Sequence, residues 1–298
     1  MPLQVHERAA AKINLSLHVT GKRADGYHLL DTLVVFAQSG DEVTIEPANH
    51  RSLTIDGPFA HELHAGPDNL VWRAAELMVS TVSTAGSPAH NGFSIHLTKN
   101  LPVASGLGGG SADAAAVIRG FGQVLGVAAD DFEPRLTAGM TTLGADVPMC
   151  FHSRPARAQG VGDELTLMEL PRFDMVLLNP GIGISTAEIF RRLPKSDNEP
   201  MHDPLPGKGS LNDWIRTLSA QRNDLQAVAI DLVPQIGSCL AALENQPGCL
   251  FARMSGSGAS CFGLFDSQAN ARAAQKTIAA QEPTWWAAAT QTLSDPKP

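Results

Sequence analysis

Aromatic side chains are scarce: Phe, Trp and Tyr make up 5% of 298 residues, and the single tyrosine is Tyr27. Basic charge is not in excess. Lys and Arg number 22 against 30 Asp and Glu, a net charge of −8, which argues against nucleic acid or an anionic membrane bound through a broad basic footprint. An anionic small molecule remains within reach of backbone N–H groups and one or two lysines. The four cysteines, Cys150, Cys239, Cys249 and Cys261, show no CxxC spacing and are predicted to be buried free thiols in a reducing compartment. No run approaches the roughly 18 apolar residues that span a bilayer, and residues 1–11 carry Glu7 and Arg8 with no apolar h-region. The expectation is a soluble, cytoplasmic protein without a leader. Glycine and proline follow no G-X-Y period, so the chain is not fibrous.

What is present fits a globular α+β protein. At about 150 residues per domain the length predicts two domains, residues 1–160 and 161–298, with the boundary approximate within 155–172. Alternation around Ile13, Leu15, Leu17 and Val19 predicts a strand over Ala10–Thr20, followed by strands at Thr32–Ala37, Glu42–Glu46, Ser52–Ile55 and Gly92–Thr98. A 3.6-residue period predicts a helix from about Asn69, capped by Asp68, and further helices over Asp113–Leu125 and Asp131–Leu143. The second half reads as strands at Met175–Asn179, Phe251–Ser255 and Cys261–Phe265, with helices near Ser185–Arg192, Asn223–Glu244 and Gln268–Gln281. Pro194–Ser210, with four prolines and two glycines, reads as mobile or disordered.

The most informative segment is LPVASGLGGGSA, Leu101–Ala112, which leads from a strand into a long apolar-faced helix. A helix N-terminus offers unpaired N–H groups and the positive end of a dipole. Glycines let backbone approach a ligand with no Cβ in the way, so the segment suits a phosphate. It is not a Walker A loop, because no Gly-Lys-Ser/Thr closes it, and it lacks the G-x-G-x-x-G spacing of dinucleotide folds.

PVASGLGGGSADAA resembles the phosphate loop of the GHMP kinases, small-molecule kinases named for galactose, homoserine, mevalonate and phosphomevalonate. Ala10–Leu15 (AAKINL) resembles their N-terminal motif, and Arg253–Ala259 (RMSGSGA) their C-terminal glycine loop. GKRADGYHLLDTL (Gly21–Leu33), LGADVP (Leu143–Pro148) and Asn223-Asp224-Leu225 are similar to the branch whose acceptor is a cytidyl diphosphate sugar-alcohol, phosphorylated on its 2-hydroxyl in the non-mevalonate isoprenoid pathway. Two departures are visible: Ala112 stands where a second serine is common, and Ser105 where Ala or Gly is common. Neither removes the backbone cradle.

The resemblance implies a two-domain GHMP kinase fold, with an N-terminal ATP-binding domain and a C-terminal ferredoxin-like α/β sandwich. It implies ATP as phosphoryl donor with Mg2+ as its partner ion, although no Asp/Glu pair in the sequence stands out as the metal ligand. Pro102, Val103, Ala104, Ser105, Gly106, Leu107, Gly108, Gly109, Gly110, Ser111 and Ala112 would hold the phosphates, with Asn69 and Lys99 near the nucleotide. Lys12 would supply a cation at the reacting centre and Asp146 a general base, since a hydroxyl nucleophile needs a proton acceptor within hydrogen-bond reach. Tyr27 would stack on the cytosine, His28 would read its edge, and Phe190, with Thr186 on the same helix, would close the other face; Asn14 would contact the erythritol. Another GHMP kinase, of homoserine or mevalonate type, and a non-catalytic nucleotide-binding protein are the alternatives. The sequence sets no oligomeric state.

Overall fold

The computed structural model describes residues 4–81, 92–203 and 205–293. It contains two compact units that are discontinuous in sequence: one comprises residues 1–11, 40–103 and 108–152, the other residues 12–39, 104–107 and 153–298. A single cut near residue 160 does not describe this division. The reason is the length of the first two strands, β1 (Val5–Lys22) and β2 (His28–Pro47), which run out of one unit and into the other. The segments expected as separate strands at Thr32–Ala37 and Glu42–Glu46 are both parts of β2.

In the first unit, β3 (Ser52–Asp56) pairs parallel with β4 (Phe93–Thr98), and β4 pairs antiparallel with the Glu42–Pro47 end of β2. Phe93, Ile95 and Leu97 alternate inward with Val43 and Ile45, all essentially inaccessible, which is the period of a half-buried strand. Four helices accompany this sheet: α1 (Leu70–Thr81), α2 (Gly109–Leu125), α3 (Ala129–Leu143) and α4 (Val147–His152). Phe121 of α2 meets Phe93 edge to face at 5.2 Å, a geometry that adds about 0.5–1.5 kcal/mol to its burial. Asn69, rather than Asp68, caps α1: its Oδ1 accepts from Val71 N at 2.9 Å and its Nδ2 donates to His64 O.

In the second unit, β7 (Asp174–Asn179), β8 (Cys249–Met254), β9 (Cys261–Phe265) and β10 (Trp286–Gln291) form an antiparallel sheet in the order β10-β7-β9-β8. With its intervening helices this is the ferredoxin-like topology expected. The apolar core under it unites Val176, Leu178 and Cys261 of the sheet with Ile236 and Leu243 of α8 (Gln235–Glu244) and Ile278 of α9 (Gln268–Gln281). The helix expected over Asn223–Glu244 is two helices, α7 (Gln226–Leu232) and α8, bent by 119°, because Pro234 cannot donate to a continuing helix. The strands β5 (Ala156–Gly160) and β6 (Glu164–Leu167) extend from the Leu30–Val34 part of β2. Among the described residues no single helix is long and apolar enough to cross a membrane. Cys150, Cys239 and Cys261 are buried and Cys249 is half-buried, none of them in a disulfide.

The described residues of 194–210 are held by specific bonds, contrary to the disorder the composition suggested. Asn198 N donates to Val19 O (3.0 Å), Met201 N to Asp31 Oδ2 (2.9 Å), and Ser16 Oγ to the sulfur of the buried Met201. Arg157 grips Asp31 with two nitrogens and Asp203 with a third. Ser210 then caps α6 (Leu211–Ala220) through a reciprocal box with Asp213.

His18 is clamped in the same place. Its Nδ1 bonds Glu199 O at 3.1 Å, and its Nε2 accepts from Arg222 N at 3.3 Å, so the neutral ring protonated on Nδ1 satisfies both. Burial holds its pKa below 6.5; Arg222 pushes the same way, while the Glu199 carbonyl, Asp224 and Asp31 oppose. A lowered histidine pKa gives stability that is present above pH 6.5 and lost as pH falls through the folded-state value. Denaturant titrations on either side of pH 6.5 should therefore show the parent losing stability on acidification more steeply than His18→Gln; equal slopes would contradict this.

Candidate functional site

The first unit supplies a helix start. Gly108, in the left-handed region at φ 65°, is the N-cap residue of α2, and no side chain caps the turn that follows. The first-turn amides of Gly109, Gly110 and Ser111 therefore present donors and a positive dipole end to an anion. Ser111 lies beside the turn that joins α3 to α4: a Cβ on Gly144 would stand 3.6 Å from its Oγ. Asp146 is in that turn, half-buried, and its carbonyl accepts the first bond of α4 from Cys150 N. Pro102 and Ala112 are buried and Val103 is half-buried, while Ala104, exposed, takes φ 49°.

Below this helix start lies a buried charge cluster. Lys99 Nζ donates to Asp41 Oδ2 at 2.5 Å and to Asp113 Oδ2 at 2.7 Å. Asp41 Oδ1 in turn accepts from the backbone N–H groups of Asn100 and Leu101. Burial pushes the Asp113 carboxyl up to about 8, against the pull of Lys99 and helped by the neighbouring Asp41. Burial works to lower the Lys99 pKa, but the two carboxylates outweigh it and the lysine stays charged. The Lys99 ammonium is thus fully engaged within the protein rather than offered to a phosphate, and Asn69 spends its amide on the α1 cap.

The second unit supplies a glycine loop, Ser255–Ser260, between β8 and β9. Ser255 N bonds Ser260 O, and Gly258 N bonds Ser255 O. The Ser105–Leu107 backbone docks on it: Ser260 N donates to Ser105 O (3.0 Å), and Ser255 Oγ donates to Gly106 O (3.0 Å). Gly106 at φ 78° leaves no room for a side chain, since a Cβ would fall 2.4 Å from Ser255 O. β1 adds to this arrangement. Lys12, 6% exposed, donates its backbone N–H to Leu107 O, and Asn14 N donates to Ser255 Oγ. Asn14 Nδ2 bonds Thr32 Oγ1, whereas its Oδ1 is buried without a hydrogen-bond donor, as is Ser105 Oγ. An unpaired buried acceptor next to a glycine loop is a place for a ligand hydroxyl.

Thr186, at the start of α5 (Thr186–Arg192), bonds Ser257 Oγ at 2.7 Å, which ties that helix to the loop. His28 and Phe190 stack on each other at 4.6 Å, 23° from parallel. No base fits between them, so Phe190 backs His28 here instead of facing it across a ligand. Burial lowers the His28 pKa, and Lys22 adds to the effect, so the ring is neutral and keeps one donor and one acceptor nitrogen. Tyr27 is 64% exposed beyond the Asp25-Gly26 turn, with its ring face open to a partner.

Three further residues of the machinery are given no task of their own in the sequence reading. Asn223 Nδ2 holds both Met254 O and Gly256 O. Arg253 is buried with its guanidinium on the carbonyls of Leu15, Leu218 and Gln221, and burial lowers its pKa to about 10. Asp41 follows Gly40 in what reads as a break between strands. Asn223 and Arg253 lie inside recognisable motifs, but nothing local in the sequence joins Asp41 to Lys99.

The family model for the GHMP kinases N terminal domain matches residues 69–154, and that for GHMP kinases C terminal matches residues 208–283. A protein of Paracoccus denitrificans named 4-diphosphocytidyl-2-C-methyl-D-erythritol kinase is 52% identical over 97% of both chains. One of the same name from Rhizobium etli is 46% identical over 97% of this chain and 95% of its own. A crystal structure of 4-(cytidine 5'-diphospho)-2C-methyl-D-erythritol kinase superposes with TM-score 0.77 at 32% identity, covering 97% of this chain and all of the other. A mevalonate kinase from L. major, 14% identical with TM-score 0.63, shares the fold.

Proposed function

The chain belongs to the GHMP kinases, and we propose that it transfers the terminal phosphoryl group of ATP to the 2-hydroxyl of 4-diphosphocytidyl-2-C-methyl-D-erythritol, giving the 2-phosphate and ADP in the non-mevalonate isoprenoid pathway. The observation that carries this reading is 52% identity, sustained over 97% of both chains, to a kinase named for that acceptor. We place it in the cytoplasm, where reducing conditions would keep buried thiols such as Cys239 and Cys261 out of disulfides.

Phosphoryl transfer needs positioned phosphates, offset charge and an in-line hydroxyl. In our reading the backbone of Pro102–Ala112, chiefly the first-turn amides of α2, holds the phosphates. The Lys12 ammonium offsets charge on the group in transit, and the Asp146 carboxylate takes the proton from the attacking hydroxyl. Asn14 Oδ1 accepts from a hydroxyl of the erythritol, which would relieve its buried, unpaired state. Tyr27 stacks on the cytosine, the neutral His28 reads its edge, Phe190 steadies His28, and Thr186 orders the helix that carries Phe190. Among the described residues no three His, Cys, Asp or Glu side chains cluster around a metal position. The Ser111 hydroxyl at the helix start is the protein oxygen that would hold an ion arriving with the nucleotide, the rest of its ligands being phosphate and water. Bound there, Mg2+ would offset phosphate charge.

ADP release measured against a panel of alcohols tests the assignment. The cytidyl acceptor should give the highest kcat/KM; preference for homoserine or mevalonate would overturn the branch, and ATP binding without turnover on any acceptor would overturn the kinase. Tyr27→Ala should raise the KM of the cytidyl acceptor about tenfold, toward the lower end of the range for base stacking on an aromatic ring, with the KM for ATP held. An unchanged acceptor KM would remove Tyr27 from the base site.

A further inference from the structure

Asp41, Lys99 and Asp113 are at most 2% exposed, and they come from three different elements: β2, the segment after β4, and the second turn of α2. Two carboxylates around one ammonium leave an excess negative charge in a dry place, which is a costly way to fill a core. Burial and the neighbouring Asp41 raise the Asp113 pKa to about 8, which eases that excess. The cluster also presses on the phosphate loop. A Cβ on Gly109 would sit 2.9 Å from Lys99 Nζ and 3.5 Å from Asp41 Oδ2, so the first turn of α2 rests directly on the ammonium. Asp41 completes the frame by accepting from the N–H groups of Asn100 and Leu101, the residues through which the chain enters the loop.

We infer that Lys99, Asp41 and Asp113 are positioning residues for the phosphate-binding turn: they fix the start of α2 against β2 and against the chain entering the loop, and so act on ATP through the turn's amides without touching the nucleotide. This rests on the reading of α2 as the ATP phosphate site. It gives Lys99 a task different from the nucleotide contact implied by the family resemblance. To reach a phosphate, the ammonium would have to leave two carboxylates behind in a buried setting.

The full-length protein tests this with Asp113→Leu, which cuts the link from Lys99 to α2 yet leaves Lys99 and Asp41 as a neutral pair, and with Asp113→Asn, which restores an acceptor for Lys99. The positioning role predicts that Asp113→Leu, folded by circular dichroism and thermal melt, raises the KM for ATP about tenfold or more, as expected when a binding group is displaced. The acceptor KM should be kept, and Asp113→Asn should return the ATP KM to within about twofold of the parent. A folded Asp113→Leu with the parent's ATP KM overturns the inference. So does Asp113→Asn with a loss as large as that of Asp113→Leu. Should Asp113→Leu not fold, Lys99→Met/Asp113→Leu replaces the pair with apolar groups and is read by the same two constants. A parent protein that fails to turn over ATP with any acceptor overturns the kinase reading and this inference with it; an active parent with insensitive variants overturns the inference alone.

Discussion

Asp146→Ala is expected to lower turnover by about 10²–10⁴-fold, the range for removal of a general acid or base, while ATP binds nearly as it does to the parent. Asp146 contributes its backbone carbonyl to α4 through Cys150 N, and alanine retains that bond. Asp146→Asn separates shape from charge: a carboxamide fills the same space but cannot take the hydroxyl proton, so it should lose turnover to a similar degree. Single-turnover rates measured beside equilibrium binding of ATP decide the matter. Lost ATP binding with an intact rate per bound complex would contradict the role given to this carboxylate.

Gly106→Ala is expected to destabilise the protein by about 3 kcal/mol or more, combining a φ reserved for glycine with a backbone clash. A Cβ there would lie 2.4 Å from Ser255 O, 2.8 Å from Gly258 O and 2.9 Å from Gly258 N. All three are backbone atoms, so no rotamer change relieves them. The same displacement would pull apart the bonds of Ser255 Oγ to Gly106 O and of Ser260 N to Ser105 O, and ATP binding should fall with stability. Gly110→Ala is the control. Its Cβ would meet only the Leu70 methyl end at 3.3 Å, and alanine favours a helix over glycine by up to about 1 kcal/mol. Chemical denaturation of both variants should show a large loss for Gly106→Ala and little change for Gly110→Ala; equal losses would mean that packing at Gly106 is not the constraint.

The elements read best from sequence are those whose signal is local and long. The alternation of Ile13, Leu15, Leu17 and Val19, and the apolar face of Ala114, Val117, Ile118 and Phe121, carry their own periodicity and place β1 and α2 well. The short strands β5, β6 and β10 carry no such signal, because a strand of four to six residues is stabilised by its neighbour rather than by its own pattern. The α7–α8 break was marked by Pro234, yet the continuous apolar period around it reads as one helix. Likewise, Ser210-x-x-Asp213 is a capping signature for α6 that the surrounding prolines and glycines obscure. The Pro194–Ser210 segment shows the limit of composition. It has little apolar content of its own, but β1 and β2 offer it Val19 O, Asp31 and His18, and those partners order it.

Sequence alone determined the chemistry available: a glycine-rich helix start, a lysine and an aspartate with the family's motif spacing, one tyrosine beside a histidine, and no excess of basic charge. Such features are legible because covalent neighbours and residue types carry them. Tertiary structure alone decided how those groups are employed. It committed Lys99 to Asp41, 58 residues away, and Asp113, 14 residues away; it set His28 against Phe190, and left Asn14 Oδ1 buried and unpaired. Such pairings depend on which side chains the folded core desolvates together, and desolvation is a property of the packed chain that no local stretch encodes.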